Sequence, residues 1–83
     1  MFYLRNISIV TGGFLVNDKV IKTIHGREAT TGFIIPKRGD ILHVVGDDGK
    51  SYILLVKYVE YDYDTHWHDH RDGAFEVTIH CKR

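Results

Sequence analysis

The chain has 83 residues, and its 11 Lys and Arg balance its 11 Asp and Glu, so its formal net charge at pH 7 is zero. This length allows one domain, which we place over residues 1–83. The balanced charge argues against a nucleic-acid partner, since such proteins carry a broad basic surface. No segment approaches the roughly 18 apolar residues of a membrane span, so no membrane partner is expected.

The cysteine content indicates the compartment. Cys81 is the single cysteine, which excludes an internal disulfide and fits a reducing environment. The first residues lack the charged lead and apolar run of a signal peptide. We therefore expect a cytoplasmic protein. Cys81 lies among apolar alternates, which favours an inert buried thiol over a nucleophile.

Short apolar runs separated by turn residues predict strands throughout the first half of the chain. The first strand covers residues 2–10 and ends at a turn over 11–13. Asn17 and Asp18 predict a two-residue hairpin turn, since both residue types tolerate the left-handed backbone. Residues 25–28 are predicted to form a loop and residues 29–35 a further strand, which Pro36 stops.

The second half predicts more strands and no helix. A turn over residues 37–40 leads into a strand over 41–45, and a tight hairpin at 46–49 leads into a long strand from residue 51. The final strand covers residues 74–83. We expect an all-β fold of five to six strands, either a small barrel or a strongly bent antiparallel sheet, with a long C-terminal hairpin.

Residues 32–44 read GFIIPKRGDILHV, an apolar run, two turn residues, Gly-Asp and an alternating strand. This order resembles the diverging turn of Src-homology-3-like barrels, and the hairpin at 46–49 resembles their distal hairpin. The resemblance covers residues 32–59 and implies a small barrel. Tyr52 stands where those domains carry a tryptophan pair, so binding of proline-rich peptides is not carried over. In general style the chain is also similar to orphan proteins of phages and integron cassettes, which implies an accessory role in a mobile element.

In residues 60–72 every even-numbered side chain is titratable, and three of the odd-numbered ones are aromatic. Successive side chains of an extended strand point to opposite faces. A continuous strand would therefore carry one polar face, made of Glu60, Asp62, Asp64, His66, His68, His70 and Asp72, and an opposite face that includes Tyr61, Tyr63 and Trp67.

The final strand alternates in the same way, with its odd-numbered residues apolar. Facing residues of an antiparallel pair share a face, which favours a hairpin loop of three residues, 71–73, or of five, 69–73. The three-residue loop predicts the facing pairs Trp67–Val77, Tyr63–Cys81, His68–Glu76, His66–Thr78, Asp64–His80 and Asp62–Lys82.

The histidines of this hairpin are a candidate metal site. His66 and His68 would lie about 6.6 Å apart at the backbone, so both imidazoles could reach one ion. His70, Glu76 or the Asp64–His80 pair could supply a third ligand. These donors suit a divalent transition metal such as zinc. The alternative, which we rank higher, is a solvated hairpin tip whose polar residues keep an exposed edge from aggregating.

Four aromatic residues are of the types that anchor protein contacts: Tyr58, Tyr61, Tyr63 and Trp67. For Tyr61 and Tyr63 we favour packing in the core. Trp67 lies near the hairpin tip, beyond the reach of a small core, and is the best single candidate for a partner contact.

A non-enzymatic binding module is the leading function predicted from the sequence. It would act through protein contacts and as a homodimer, because a chain this short gains stability from a second copy. The alternative is a metal-binding protein or small metalloenzyme that uses His66 and His68. Ser8, Ser51 and Cys81 have no base and orienting acid beside them in sequence, so nucleophilic catalysis has no support.

Overall fold

A computed structural model of the protein describes residues 2–12, 19–29, 33–64 and 73–83. Within these ranges lie β1 (Phe2–Thr11), β2 (Lys19–His25), α1 (Gly26–Ala29), β3 (Ile41–Val45), β4 (Ser51–Asp64) and β5 (Gly73–Lys82). The strands form one sheet in the order β2-β1-β5-β4-β3, and this sheet curls into a nearly closed barrel. The all-β barrel expected from the sequence is confirmed. The hairpin predicted around Asn17 and Asp18 lies outside the described residues.

The first and last strands lie side by side at the centre of the sheet. β1 pairs antiparallel with β2 and parallel with β5, with Ile7 beside Val77 and Ile9 beside Ile79. Parallel neighbours need a long connection, and here the rest of the barrel provides it. This pairing departs from a purely antiparallel sheet, because the strands at the two ends of the chain run in the same direction.

The barrel closes where the turn between β3 and β4 reaches β2. The backbone N–H of Asp47 donates to the carbonyl of Ile21 at 2.8 Å. The N–H of Thr23 donates to Asp47 Oδ2 at 3.0 Å. Asp47 therefore takes the place of a ladder partner for β2 at the seam between the two edge strands.

The core lies inside the barrel; its buried residues come from β1, β2, α1, β4 and β5, and Leu42 and Val44 of β3 pack against them. β5 shows the pattern clearly, since its odd-numbered residues from Val77 to Cys81 are buried and its even-numbered ones are not. This confirms the face assignment expected for β5. The buried cluster consists of Ile7, Ile9, Ile21, Ile24, Ala29, Leu54, Val56, Val77, Ile79 and Cys81.

The segment between β2 and β3 differs from the prediction. Residues 26–29 form α1 instead of a loop, and the predicted strand over 29–35 is wrong where it is described. The N–H of Phe33 donates to the Ala29 carbonyl at 3.1 Å. Phe33 and Ile35 pack against the core without joining the sheet. No helix in the described part of the chain has the length and apolar character that crossing a bilayer takes.

Candidate interaction surface

The β3–β4 ladder is apolar on both of its faces. Its inner face carries the facing pairs Leu42–Leu54 and Val44–Tyr52, which pack on or within the core. Its outer face carries the facing pairs Ile41–Leu55, His43–Ile53 and Val45–Ser51. Facing residues share a face of the sheet. We call the apolar members of the outer set, Ile41, Val45, Ile53 and Leu55, the outer patch.

Three side chains of the outer patch are strongly exposed: Ile41 at 56%, Val45 at 56% and Ile53 at 64%. Leu55 is half-buried beside them. Single exposed apolar residues are ordinary, but a contiguous group on one side of a sheet is typical of a contact surface. The prediction of site residues from the sequence missed this patch. The available signal was the segment ILHVV, in which every residue except His43 is apolar, so both faces of β3 had to be apolar.

A polar cluster continues the same outer surface toward the C-terminal hairpin. Tyr58 faces His80 across the β4–β5 ladder, and the two rings stack with centroids 4.2 Å apart. His80 Nε2 lies 2.9 Å from Glu60 Oε1. The His80 side chain is only 14% exposed, because Tyr58 covers it. Tyr58 itself is 51% exposed, so its ring is available for contacts beside the outer patch.

The register of the C-terminal hairpin differs from both predicted registers. Tyr63 faces Phe75, Asp62 faces Glu76 and Glu60 faces Thr78. The predicted pairs Tyr63–Cys81, Asp64–His80 and Asp62–Lys82 are therefore wrong. Val77 and Thr78 face Tyr61 and Glu60, so the predicted pairs Trp67–Val77 and His66–Thr78 are wrong as well.

The observed ladder pairs β5 with an earlier part of β4 than the prediction did, and β4 also contains an irregularity. Thr78 faces Glu60 in the described ladder, six positions earlier along β4 than the His66 that the three-residue loop predicted. A register shift between Val56 and Tyr58 also changes which positions face inward. Odd-numbered residues still face odd-numbered ones beyond this shift, so the predicted parity is confirmed between Tyr58 and Asp64.

Tyr61 and Tyr63 face the inner side but are not core residues. Their exposures are 49% and 53%, so the prediction that they fill the core is wrong. Tyr63 stacks on Phe75 with ring centroids 5.1 Å apart. The hairpin extends past the end of the core at this point, and aromatic stacking across the ladder replaces burial.

The predicted metal ligands are only partly described. Glu76 lies on β5 opposite Asp62, where the prediction had placed His68, and its Oε2 is 3.6 Å from Arg5 Nη1. His66, His68 and His70 lie outside the described residues, as does Trp67. Within the described ranges, no group of three or more His, Cys, Asp or Glu side chains is arranged to hold a metal ion.

Tyr52 and Asp48 are joined by a side-chain hydrogen bond near the turn between β3 and β4. The Tyr52 hydroxyl donates to Asp48 Oδ2 at 2.5 Å. This bond, with a second from the Lys50 N–H, lowers the pKa of Asp48, and it raises the pKa of Tyr52. The Arg83 guanidinium lies 5.2 Å from the centre of the Tyr52 ring. Cys81 is buried, and burial raises the pKa of its free thiol. This agrees with the inert cysteine expected from the sequence.

A scan against protein-family models found no match, and searches of curated proteins and of solved structures found no significant similarity. The resemblance to Src-homology-3-like barrels and the similarity to phage and integron-cassette proteins therefore stay predictions.

Proposed function

We propose that this protein is a small non-enzymatic interaction module that binds protein partners through the outer patch, and that it assembles as a homodimer. The observation that carries the proposal is the exposure of Ile41, Val45 and Ile53 on the outer face of the β3–β4 ladder, where Ile53 faces His43 between the other two. Burying apolar surface is the main favourable term in protein association, at roughly 25 cal/mol per Å². Tyr58 adds an exposed aromatic ring at the rim of the same surface.

The chemistry of the described residues supports binding rather than catalysis. Cys81 is buried and burial raises its pKa, which disfavours the thiolate that a nucleophile needs. His80 lies between the Tyr58 ring and Glu60, which holds its imidazole in place on the sheet surface. We place the protein in the cytoplasm as part of this proposal, because its cysteine is free and a reducing compartment suits it.

The experiment is sedimentation of the purified protein from micromolar to millimolar concentration, with two matched variants. Ile53→Lys places a charge at the centre of the outer patch. Val20→Lys places the same charge on β2, at a valine that is 54% exposed. We expect the wild type and Val20→Lys to dimerise and Ile53→Lys to stay monomeric. Equal association of all three proteins would show that the outer patch is not the dimer interface.

The metal-binding alternative stays a prediction based on the spacing of His66, His68 and His70. Its test is a zinc titration by calorimetry on the wild type and on a His66→Ala/His68→Ala variant. Heat that corresponds to stoichiometric zinc binding in the wild type and is absent in the variant would support metal binding. A titration of the wild type without heat would contradict it. The accessory role in a mobile element also stays a prediction.

A further inference from the structure

A groove of about 490 Å³ lies on the barrel surface where the turn before β3 meets β4 and the end of β5. The Gly39 N–H donates to the Val56 carbonyl at 2.9 Å, which holds this turn against β4. Three cationic side chains line the groove: Arg38 from the turn, Lys57 from β4 and Lys82 from β5. All three are exposed, so they present positive charge to solvent. We call this site the basic groove.

The irregularity in β4 places Lys57 in the basic groove. Val56 faces Cys81 and Tyr58 faces His80, so Lys57 is an extra residue without a facing partner in the described ladder. Such a bulge turns a side chain out of the regular alternation of a strand. Lys57 and Tyr58 are consecutive, yet both are exposed and both line the groove. A regular strand would send one of the two to the opposite face.

The positive charge of the basic groove is not offset by an acid within it. Of the described residues that line the groove, none is acidic, and its three cations make no ion pair with any described residue. The nearest acids along the chain hold other groups: the Asp40 carboxylate accepts the Lys37 N–H at 2.9 Å, and Glu60 pairs with His80. A cleft lined by charge of one sign raises the local concentration of oppositely charged ligands.

A second groove, at the other end of the outer patch, lacks this imbalance. Lys19 and Lys50 line it. The pKa of Asp48 is lowered first by its bond from Tyr52, and the charges of Lys50 and Lys19 lower it further. Asp48 therefore lies close enough to offset both lysines. Two exposed lysines are not sufficient for an electropositive site, and the basic groove is distinguished by the absence of such an acid among its described lining residues.

An aliphatic and an aromatic side chain line the basic groove beside its cations. Leu55 faces Lys82 on one side and Ile41 of the outer patch on the other. The ring of Tyr58 is 51% exposed. A small anion such as phosphate would use only the charges and would leave this apolar surface in water. A segment that combines carboxylates with an aliphatic side chain would use both parts of the groove.

We propose that the basic groove binds an acidic segment of a partner protein, with carboxylates against Arg38, Lys57 and Lys82 and an aliphatic side chain against Leu55 and Tyr58. This inference rests on the proposed interaction module and names the chemistry of its partner. Charge complementarity selects the occupant, because opposite charges across an interface fix its register and like charges are costly. A nucleic acid is a poorer match, since it takes a broader basic surface than three side chains in a chain of zero net charge.

The experiment is fluorescence anisotropy of a labelled peptide, EEDLDEE, titrated with the purified protein. The groove variant is Lys57→Gln/Lys82→Gln. The matched control is Lys19→Gln/Lys50→Gln, which removes the same charge from the second groove. All four lysines are exposed, so both variants keep the core intact. We expect the groove variant to bind the peptide about tenfold more weakly than the wild type, and the control to bind within about twofold of it.

The apolar contact is tested on the peptide. Replacing its leucine by serine, in EEDSDEE, should weaken binding to the wild type at least about threefold, because less apolar surface is buried in the groove. Equal binding of the two peptides would overturn the contact with Leu55 and Tyr58.

Other outcomes would overturn the occupant or the site. No peptide binding by the wild type, or equal weakening in the two double variants, would overturn the basic groove. Tighter binding of a labelled oligothymidylate than of the peptide would make the occupant a nucleic acid. Displacement of the peptide by millimolar phosphate, but not by sodium chloride of equal ionic strength, would make it a small anion.

Sedimentation separates this inference from the proposed homodimer, since the groove variant keeps the outer patch and should associate as the wild type does. A protein that binds the peptide as expected but stays monomeric at all concentrations would overturn the homodimer and leave the basic groove standing. A protein that dimerises through the outer patch but does not bind the peptide would overturn the basic groove alone.

Discussion

Thr23 and Asp47 are joined across the seam of the barrel: the Thr23 N–H donates to the Asp47 carboxylate at 3.0 Å. The Asp47 N–H bonds to β2 as well, and its Oδ1 lies 3.7 Å from Lys22 Nζ. One turn residue thus supplies a backbone donor, a side-chain acceptor and a charge to an edge strand. The last strand pair of the barrel is held at this point by a turn instead of a ladder.

Removing the Asp47 carboxylate should weaken the seam. Asp47→Ala leaves the Thr23 N–H without this acceptor and Lys22 without its ion pair, and we expect it to lower the free energy of unfolding by about 1 kcal/mol. Asp47→Asn is the control, because its amide oxygen still accepts the bond and only the charge is lost. Urea denaturation measures both changes. An equal loss in the two variants would mean that the ion pair, and not the hydrogen bond, holds the seam.

The Tyr52–Asp48 bond should make stability depend on pH at both ends of the scale. The bond lowers the pKa of Asp48, so its contribution is present at neutral pH and is lost as pH falls through the acid range. It raises the pKa of Tyr52, so the contribution is also lost as pH rises above the usual tyrosine range. Tyr52→Phe removes the bond while keeping the ring. We expect the wild type to exceed Tyr52→Phe in melting temperature near neutrality, with the difference shrinking in acid and in alkali. A constant difference would contradict the assignment.

The like charges of Asp62 and Glu76 should be destabilising. They face each other across the β4–β5 ladder, and the Arg5 contact with Glu76 is long and half exposed. Facing like charges on a sheet are unfavourable. We expect Asp62→Lys to raise the free energy of unfolding by about 0.5 kcal/mol. Glu60→Lys is the same change two residues earlier, where it removes the partner of His80, and it should lower stability. Chemical denaturation of the two variants checks the register directly. Changes of opposite sign in the free energy of unfolding would support it, and changes of the same sign would contradict it.

Gly26 should tolerate no side chain. A Cβ at this position would lie 1.9 Å from the Leu4 carbonyl oxygen, a backbone atom that cannot move aside without breaking β1. We expect Gly26→Ala to cost more than about 3 kcal/mol or to prevent folding. Gly39→Ala is the comparison, since Gly39 has open space around it and a φ of 93°. It should cost only the strain of a left-handed backbone, about 1 kcal/mol. Similar costs at the two sites would contradict the close approach of α1 to β1.

The alternation of apolar residues was enough to predict most strands. β1, β3, β4 and β5 follow the predicted runs closely, because each carries inward-facing apolar residues at alternate positions over most of its length. The predicted strand over residues 29–35 failed, since Phe33 and Ile35 pack on the core without a ladder partner. A helix of four residues such as α1 is too short for a helical period to be visible in the sequence.

The candidate site was harder to predict than the fold. The alternation correctly predicted which face of the sheet carries Tyr61 and Tyr63. It could not predict their exposure, because exposure depends on where along the strands the core ends. The predicted register placed the turn at residues 71–73, whereas β5 begins at Gly73, and no turn residue marks the irregularity after Val56. The outer patch became visible only when β3 proved to be an edge strand, since apolar residues on both faces are equally typical of a fully buried strand.

Amide hydrogen exchange at low and high protein concentration tests the β3–β4 surface most directly as the place of association. The N–H groups of Ile41, His43 and Val45 point away from β4, so they should exchange quickly in dilute solution and become protected as concentration rises. The N–H groups of Leu42 and Val44 point toward β4 and should show protection at both concentrations. Exchange at Ile41, His43 and Val45 that is unchanged with concentration would contradict association through the outer patch.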